Sequence, residues 1–185
     1  MEIKNMIILV DMDDVLADFD GEFYRRWNLR HPEKPVVPPE ERICFYIKDE
    51  LSEEYKPLVR EINTEKGFIR SLPEIQGGIK AVNELLNMGN EVFICTAPLD
   101  SYYNCVLEKY EWVEEHMGFE WTKRLILTKE KALILGDILI DDKPDIKNEH
   151  LAKWEQILFD KSYNRHITGK RRLTWYNWKE ILLPS

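Results

Sequence analysis

The sequence predicts an α/β fold, a parallel sheet flanked by helices, on three observations. Residues Ile7 to Val10 (IILV) are all apolar, and three of the four are β-branched, as in a strand buried on both faces. Further short apolar runs recur at Val92–Cys95, Leu125–Leu127, Ile138–Ile140 and Ile157–Phe159. Segments of helical periodicity separate these runs, and strand–helix alternation of this kind argues for a parallel sheet with helices on both faces.

The first run leads straight into Asp11 and Asp13. Alternation along an extended chain points these two carboxylates the same way and turns Met12 aside. Open parallel sheets hold their active sites beyond the carboxyl ends of the strands, where this pair falls. Two carboxylates so placed repel each other unless a cation or a shared proton relieves them. Acidic residues after a strand also serve as turn formers, which accounts for one Asp more readily than for two. A calcium loop is excluded: Glu22 falls at the last liganding position counted from Asp11, but Val15 and Leu16 stand where an oxygen ligand and a glycine are required.

Between the first two strands, residues 19–76 break the rhythm. This segment holds a proline-rich turn (Pro32, Pro35, Pro38, Pro39), a helical stretch from Glu53 to Glu65, and the aromatics Phe45 and Tyr46 with Phe19 and Phe23 before them. Its 58 residues are too many for a simple crossover. The organisation expected is therefore a core of residues 1–18 and 77–185, with 19–76 inserted as a helical cap over the carboxyl end of the sheet. Lys80 to Met88 is amphipathic, with Ala81, Val82, Leu85 and Leu86 on one face, and Gly89 stands where a helix C-terminus favours glycine. Ser101 to His116 reads as a longer helix ending before Gly118.

Composition narrows the function. The 185 residues carry a net charge of −8, which argues against nucleic-acid polymers as partners, and no apolar run approaches a membrane span. Glu2 and Lys4 flank a short apolar strand rather than a signal sequence. Three scattered cysteines, Cys44, Cys95 and Cys105, indicate a cytoplasmic protein rather than a disulfide scaffold. The four histidines show no metal-ligand spacing.

The other strands end in chemistry too. The second ends in Cys95, Thr96, Ala97 and Pro98; Lys129 and Lys131 follow the third; the fourth ends in Asp141 and Asp142. Taken singly, the threonine reads as a helix cap, the lysine as a solvated side chain and the acidic pair as a turn. Together they bring two acidic clusters, a hydroxyl and an ammonium to one edge of one sheet.

This constellation resembles the haloacid dehalogenase superfamily of phosphohydrolases: Asp11, Asp13 and Val15 as its DxDxV motif, then Thr96, Lys131 and the pair Asp141 and Asp142. The stretches DMDDVLADF, VFICTAP, LEKYEWVEEHMG, ILGDILIDDKPDI, ILFDKSYN and RRLTWYNWKEIL look like those of the 5'(3')-deoxyribonucleotidases. The resemblance implies a Rossmann-like core of strand order 3-2-1-4-5 with a small helical cap inserted after the first strand. It implies a Mg²⁺-dependent phosphatase of deoxyribonucleoside monophosphates working through an aspartyl-phosphate, and relatives imply a homodimer. Asp11 would be the nucleophile and Asp13 the general acid and base. Mg²⁺ would be held by the Asp11 carboxylate, the Asp13 backbone carbonyl and Asp142, with Asp141 orienting Lys131 or the metal shell. Lys131 and Thr96 would bind the phosphoryl oxygens, and Phe19, Phe45, Tyr46 and Ile47 would form the base and sugar pocket.

The chain departs from the family pattern at four places. Asp14 replaces a glycine, Ala97 a serine, Asp100 a lysine and Asn63 a pocket tryptophan of relatives. A phosphatase of another small phosphate ester is the alternative within the superfamily. A receiver-like signalling module shares the Asp cluster, Thr and Lys, but such modules accept phosphate on an Asp of a later strand and lack a large cap. The basic residues Arg165 and Lys170 to Arg172 read as charges that screen an acidic protein or attract a phosphorylated substrate.

Overall fold

The structure is a computed structural model describing residues 5–183; Glu2 and Lys4, and the outermost residues of the anticipated core, lie outside the described residues. Six parallel strands form one sheet in the order β3-β2-β1-β4-β5-β6. They are β1 (Ile7–Val10), β2 (Glu91–Thr96), β3 (Leu125–Leu127), β4 (Ile138–Asp141), β5 (Glu155–Phe159) and β6 (Arg172–Leu173). The first five follow the order expected, and the two-residue β6 adds an edge beside β5. β1 lies inside the sheet, with Ile8 opposite Val92 on one side and Ile138 on the other. Ile8, Leu9 and Val10 are fully buried, which is why this strand is a continuous apolar run rather than an alternating one.

Helices flank the two faces differently. Ile8, Val10, Ile94 and Ile140 face a large core that includes Ala81, Val82 and Leu85 of α3 (Gly78–Asn87) and Cys105, Trp112 and Val113 of α4 (Cys105–Met117). Leu9, Cys95 and Leu139 face a smaller core with Ala132 and Trp154, which draws on 3₁₀ turns and loops instead of α-helices. In the links from β3 to β4 and from β4 to β5, 3₁₀ turns at Lys131–Leu133 and Glu149–Leu151 stand where a crossover helix is usual. α3 ends one residue before Met88, and Gly89 follows at φ 89°, a left-handed conformation glycine adopts without strain. α4 begins at Cys105, after the turn at residues 101–104, and the short α5 (Phe119–Thr122) follows it.

The inserted segment begins with α1 (Phe19–Arg30), capped by the Asp18 carboxylate accepting from Gly21 N at 3.1 Å, with Asp20 and Glu22 in its first turn. Phe23 and Trp27, four residues apart, are fully buried on its inner face. The helix anticipated over Glu53–Glu65 starts as a 3₁₀ turn at Glu53–Tyr55 and continues as α2 (Lys56–Asn63). A last short helix, α6 (Trp178–Leu182), closes the described chain.

Candidate active site

The loop after β1 is a compact turn. The Met12 carbonyl accepts from the amides of Val15, Leu16 and Ala17 at 3.3, 2.8 and 2.9 Å; the Met12 side chain packs in the core, and Asp11 and Asp13 line the cavity over the loop. Asp14 takes a left-handed conformation, φ 57°, that costs most side chains about 1 kcal/mol but that Asp tolerates. Its Oδ1 accepts from Asp20 N and from Lys161 Nζ, both at 3.1 Å.

A cavity of about 1120 Å³ opens over this loop, between the sheet edge and the inserted segment. Every side chain singled out from the sequence lines it: Asp11, Asp13, Thr96, Lys131 and Asp142 from the core, and Phe19, Phe45, Tyr46 and Ile47 from the insertion. Lys131, in its 3₁₀ turn, lies 2.8 Å from Asp11 Oδ1 and 2.6 Å from Asp141 Oδ2. Burial works against the Lys131 charge, but Asp11 and Asp141 outweigh it and hold its pKa above the ordinary lysine range. Asp142 is buried; the Tyr163 hydroxyl donates to its Oδ2 at 2.5 Å, and Asn164 Nδ2 donates to its backbone carbonyl at 2.7 Å. Burial, then the nearby charges of Asp141, Asp14 and Asp11, push its pKa well above the ordinary carboxylate value.

Carboxylate oxygens of Asp11, Asp141 and Asp142 all lie within 4.8 Å of one another. Asp11 Oδ1 is buried and makes no aligned hydrogen bond; its approach to Lys131 is an ion contact only. A cluster of hard oxygen donors with one such oxygen spare fits a small divalent cation of the Mg²⁺ class. Asp141 is a third carboxylate in that cluster. The Asp13 side chain is outside it, turned toward the other wall.

There the structure supplies a partner that sequence reasoning missed. Lys109 of α4 is fully buried, and its Nζ donates to Asp13 Oδ1 at 2.7 Å and to Thr96 Oγ1 at 3.0 Å. Burial raises the Asp13 pKa, Lys109 opposes it, and Asp11 and Asp14 add to the rise. The signal for Lys109 was its spacing: it falls four residues after Cys105 and three before Trp112, on the apolar face of the helix. Tyr163, Asn164, Lys161 and Asp14 were likewise not assigned to the site from sequence.

On the far wall, Phe45 meets Tyr46 edge-to-face at 4.8 Å and Tyr163 at 5.7 Å, and Phe19 meets Phe68 at 5.0 Å. Tyr46 is 49% exposed, so its ring is free to contact a bound molecule. Lys143 Nζ sits 5.4 and 5.7 Å from the Phe45 and Tyr46 ring centres. At the mouth, Asp100 pairs with Lys129 at 2.8 Å.

A family model described as 5' nucleotidase, deoxy (pyrimidine), cytosolic type C protein matches residues 5–183. The human cytosolic-type 5'(3')-deoxyribonucleotidase is 42% identical over 189 residues, covering 97% of this chain and 94% of that protein. A Bordetella pertussis protein assigned as a 5'(3')-deoxyribonucleotidase is 46% identical over 177 residues, 96% of this chain and 95% of its own. Among solved structures, a haloacid dehalogenase-type hydrolase from Bacillus subtilis superposes with a TM-score of 0.60 at 13% identity, covering 97% of this chain and 99% of that one, a likeness of fold. With its family matched over all the described residues and its sheet built on the haloacid dehalogenase plan, the chain belongs to the 5' nucleotidase, deoxy (pyrimidine), cytosolic type C family.

Proposed function

We propose that the protein is a Mg²⁺-dependent phosphatase of deoxyribonucleoside monophosphates, a 5'(3')-deoxyribonucleotidase acting through an aspartyl-phosphate. The observation that carries this is the division of labour between the two loop carboxylates. Asp11 lies in the acidic cluster with a spare oxygen, and Asp13 is held apart by Lys109.

Asp11 is the nucleophile: its carboxylate oxygen attacks phosphorus, the sugar oxygen leaves, and a water molecule then releases phosphate from Asp11. Such a covalent route splits one very slow displacement into two faster ones. Asp13 protonates the departing sugar oxygen and afterwards takes the proton of the attacking water. Its burial favours the protonated form needed when substrate arrives. Thr96 Oγ1 already accepts from Lys109, so its own hydrogen is left to donate to a phosphoryl oxygen. Lys131, fixed between Asp11 and Asp141, brings a positive charge to the same oxygens. Asp11, Asp142 and the Asp13 carbonyl would hold Mg²⁺, with Asp141 beside them. When bound, the ion offsets the charge of a dianionic ester meeting a carboxylate.

The leaving group fits the aromatic wall of Phe19, Phe45, Tyr46 and Ile47, where stacking on a planar base contributes about 1–3 kcal/mol. On the proposed division, residues 19–76 form the cap that supplies the wall, and residues 1–18 and 77–185 form the core that supplies the chemistry. A cytoplasmic site of action is supported by the cysteine usage and by the cytosolic-type family description. No helix among the described residues is long and apolar enough to cross a membrane.

Released phosphate from a panel of esters, with and without Mg²⁺, tests the reading. dUMP and dTMP should exceed sugar phosphates in kcat/KM, and chelation should stop release. Equal or better turnover of sugar phosphates would replace the nucleotide by another small ester as substrate.

A further inference from the structure

The geometry points to Arg42 as a positioning residue for leaving-group recognition, one that fixes the aromatic wall at Phe45–Ile47 to the carboxylate side of the cleft. The inference rests on the nucleotidase reading and names the group that sets the wall in place. Arg42 does not line the cavity, and it is only 1% exposed.

The segment from Arg42 to Tyr46 has no regular secondary structure, so its backbone polar groups need partners from elsewhere. Glu50 takes the donors: its Oε1 accepts from Ile43 N at 2.6 Å and Cys44 N at 2.5 Å. Arg42 takes the acceptors: its Nη2 donates to the Phe45 carbonyl at 2.5 Å and the Cys44 carbonyl at 3.1 Å. Its Nη1 pairs with Asp20, in the first turn of α1. The guanidinium also lies 4.5 Å above the Tyr163 ring. Tyr163 in turn donates to Asp142 and packs edge-to-face with Phe45. One buried cation thus holds the backbone of the wall and leans on the same tyrosine that anchors a residue of the acidic cluster.

A role in stability alone accounts poorly for this. A buried ion pair is a weak stabiliser, because desolvation offsets most of its attraction, and Arg42 Nε has no hydrogen-bond partner among the described residues. A packed apolar side chain would avoid that cost. What an apolar residue or a lysine cannot do is span two carbonyls and a carboxylate with one rigid planar fork.

The test is steady-state kinetics with Mg²⁺ on dUMP and on 2-deoxyribose 5-phosphate, which keeps the sugar and phosphate and lacks the base. For Arg42→Lys, KM for dUMP should rise about tenfold, of the order of one lost stacking contact, with kcat within about twofold. Both constants for deoxyribose phosphate should stay within about twofold. Phe45→Ala should raise KM for dUMP as well, and the double variant should be no worse than Phe45→Ala alone, since Arg42 acts through the wall. Asp20→Asn, which frees the other side of the guanidinium, should move KM for dUMP in the same direction by less, and it carries the test if Arg42→Lys does not fold. Additive losses in the double variant, equal losses on both substrates, or an unchanged KM for dUMP would overturn the inference. A wild type that turns over both substrates equally would sink the nucleotidase reading, and this inference with it, before any variant is compared. A wild type that prefers dUMP while Arg42→Lys leaves its KM unchanged would sink this inference alone.

Discussion

At the scale of single residues, the loop after β1 gives two carboxylates different neighbours, which suits the different tasks proposed for them. Asp11 faces Lys131 and the acidic cluster, and Asp13 faces Lys109 and Thr96. Asp11→Asn keeps the shape and removes the proposed nucleophile, so turnover should vanish while the melting temperature stays within a few degrees. A variant with wild-type kcat would rule out the covalent route. Asp13→Asn keeps the attack and removes the proton transfer, so kcat should fall about 10²–10⁴-fold. No burst of released nucleoside should precede the steady state, because Asp13 also serves the first step; a stoichiometric burst at the wild-type rate would confine its role to the second step. Neither Lys109 nor Arg42 is legible in the sequence as part of the site. A lysine or arginine reads as solvated until its burial is known, and only the helical spacing of Lys109 hinted otherwise.

At the scale of elements, strands were easier to read than helices. The β-branched runs Ile7–Val10 and Ile138–Ile140 mark β1 and β4, because strands buried on both faces leave no room for polar residues. α1 was anticipated only as part of a helical insertion. Its twelve residues include Asp20, Gly21, Glu22, Arg25, Arg26, Asn28 and Arg30, and its apolar face is narrow. Ion pairs support that polar surface. Glu22 accepts from Arg25 at 2.7 and 2.8 Å and from Arg26 at 2.7 Å, and the Arg25 hydrogen bonds hold its pKa below the ordinary value of 4.5. A carboxylate whose folded pKa is depressed stabilises the fold above its unfolded pKa, and that stability is lost as pH falls through the folded value. Glu22→Gln should therefore lower stability by about 1 kcal/mol at pH 7, a shift of roughly 2–4 °C for a chain of this size. The gap should close toward pH 3 in paired thermal melts. A gap independent of pH would show that Glu22 acts through packing instead of charge.

At the scale of the whole molecule, topology does what no single motif can. Residues 11 and 13, 96, 131 and 142 come from four separate segments of the chain, and the parallel order brings their strand ends to one cleft. That much was legible, because each residue follows a recognisable apolar run. The supports were not legible: Tyr163 and Asn164 behind Asp142, Lys161 on Asp14, and Arg42 on Asp20 act across sequence separations that one chain's pattern cannot reveal. The two-residue β6 was also missed, being too short to leave a periodic signature. On this proposal Asp11, Asp142 and the Asp13 carbonyl hold one divalent ion, and Thr96 and Lys131 bind the phosphate beside it. The most direct measurement is a Mg²⁺ titration of dUMP hydrolysis by the wild type and by Asp142→Ala. The wild type should be inactive in chelator and saturate with Mg²⁺, and Asp142→Ala should need at least tenfold more ion, the order of loss seen even for groups that only support metal ligands. Hydrolysis that persists in chelator, or superimposable titration curves, would contradict the account.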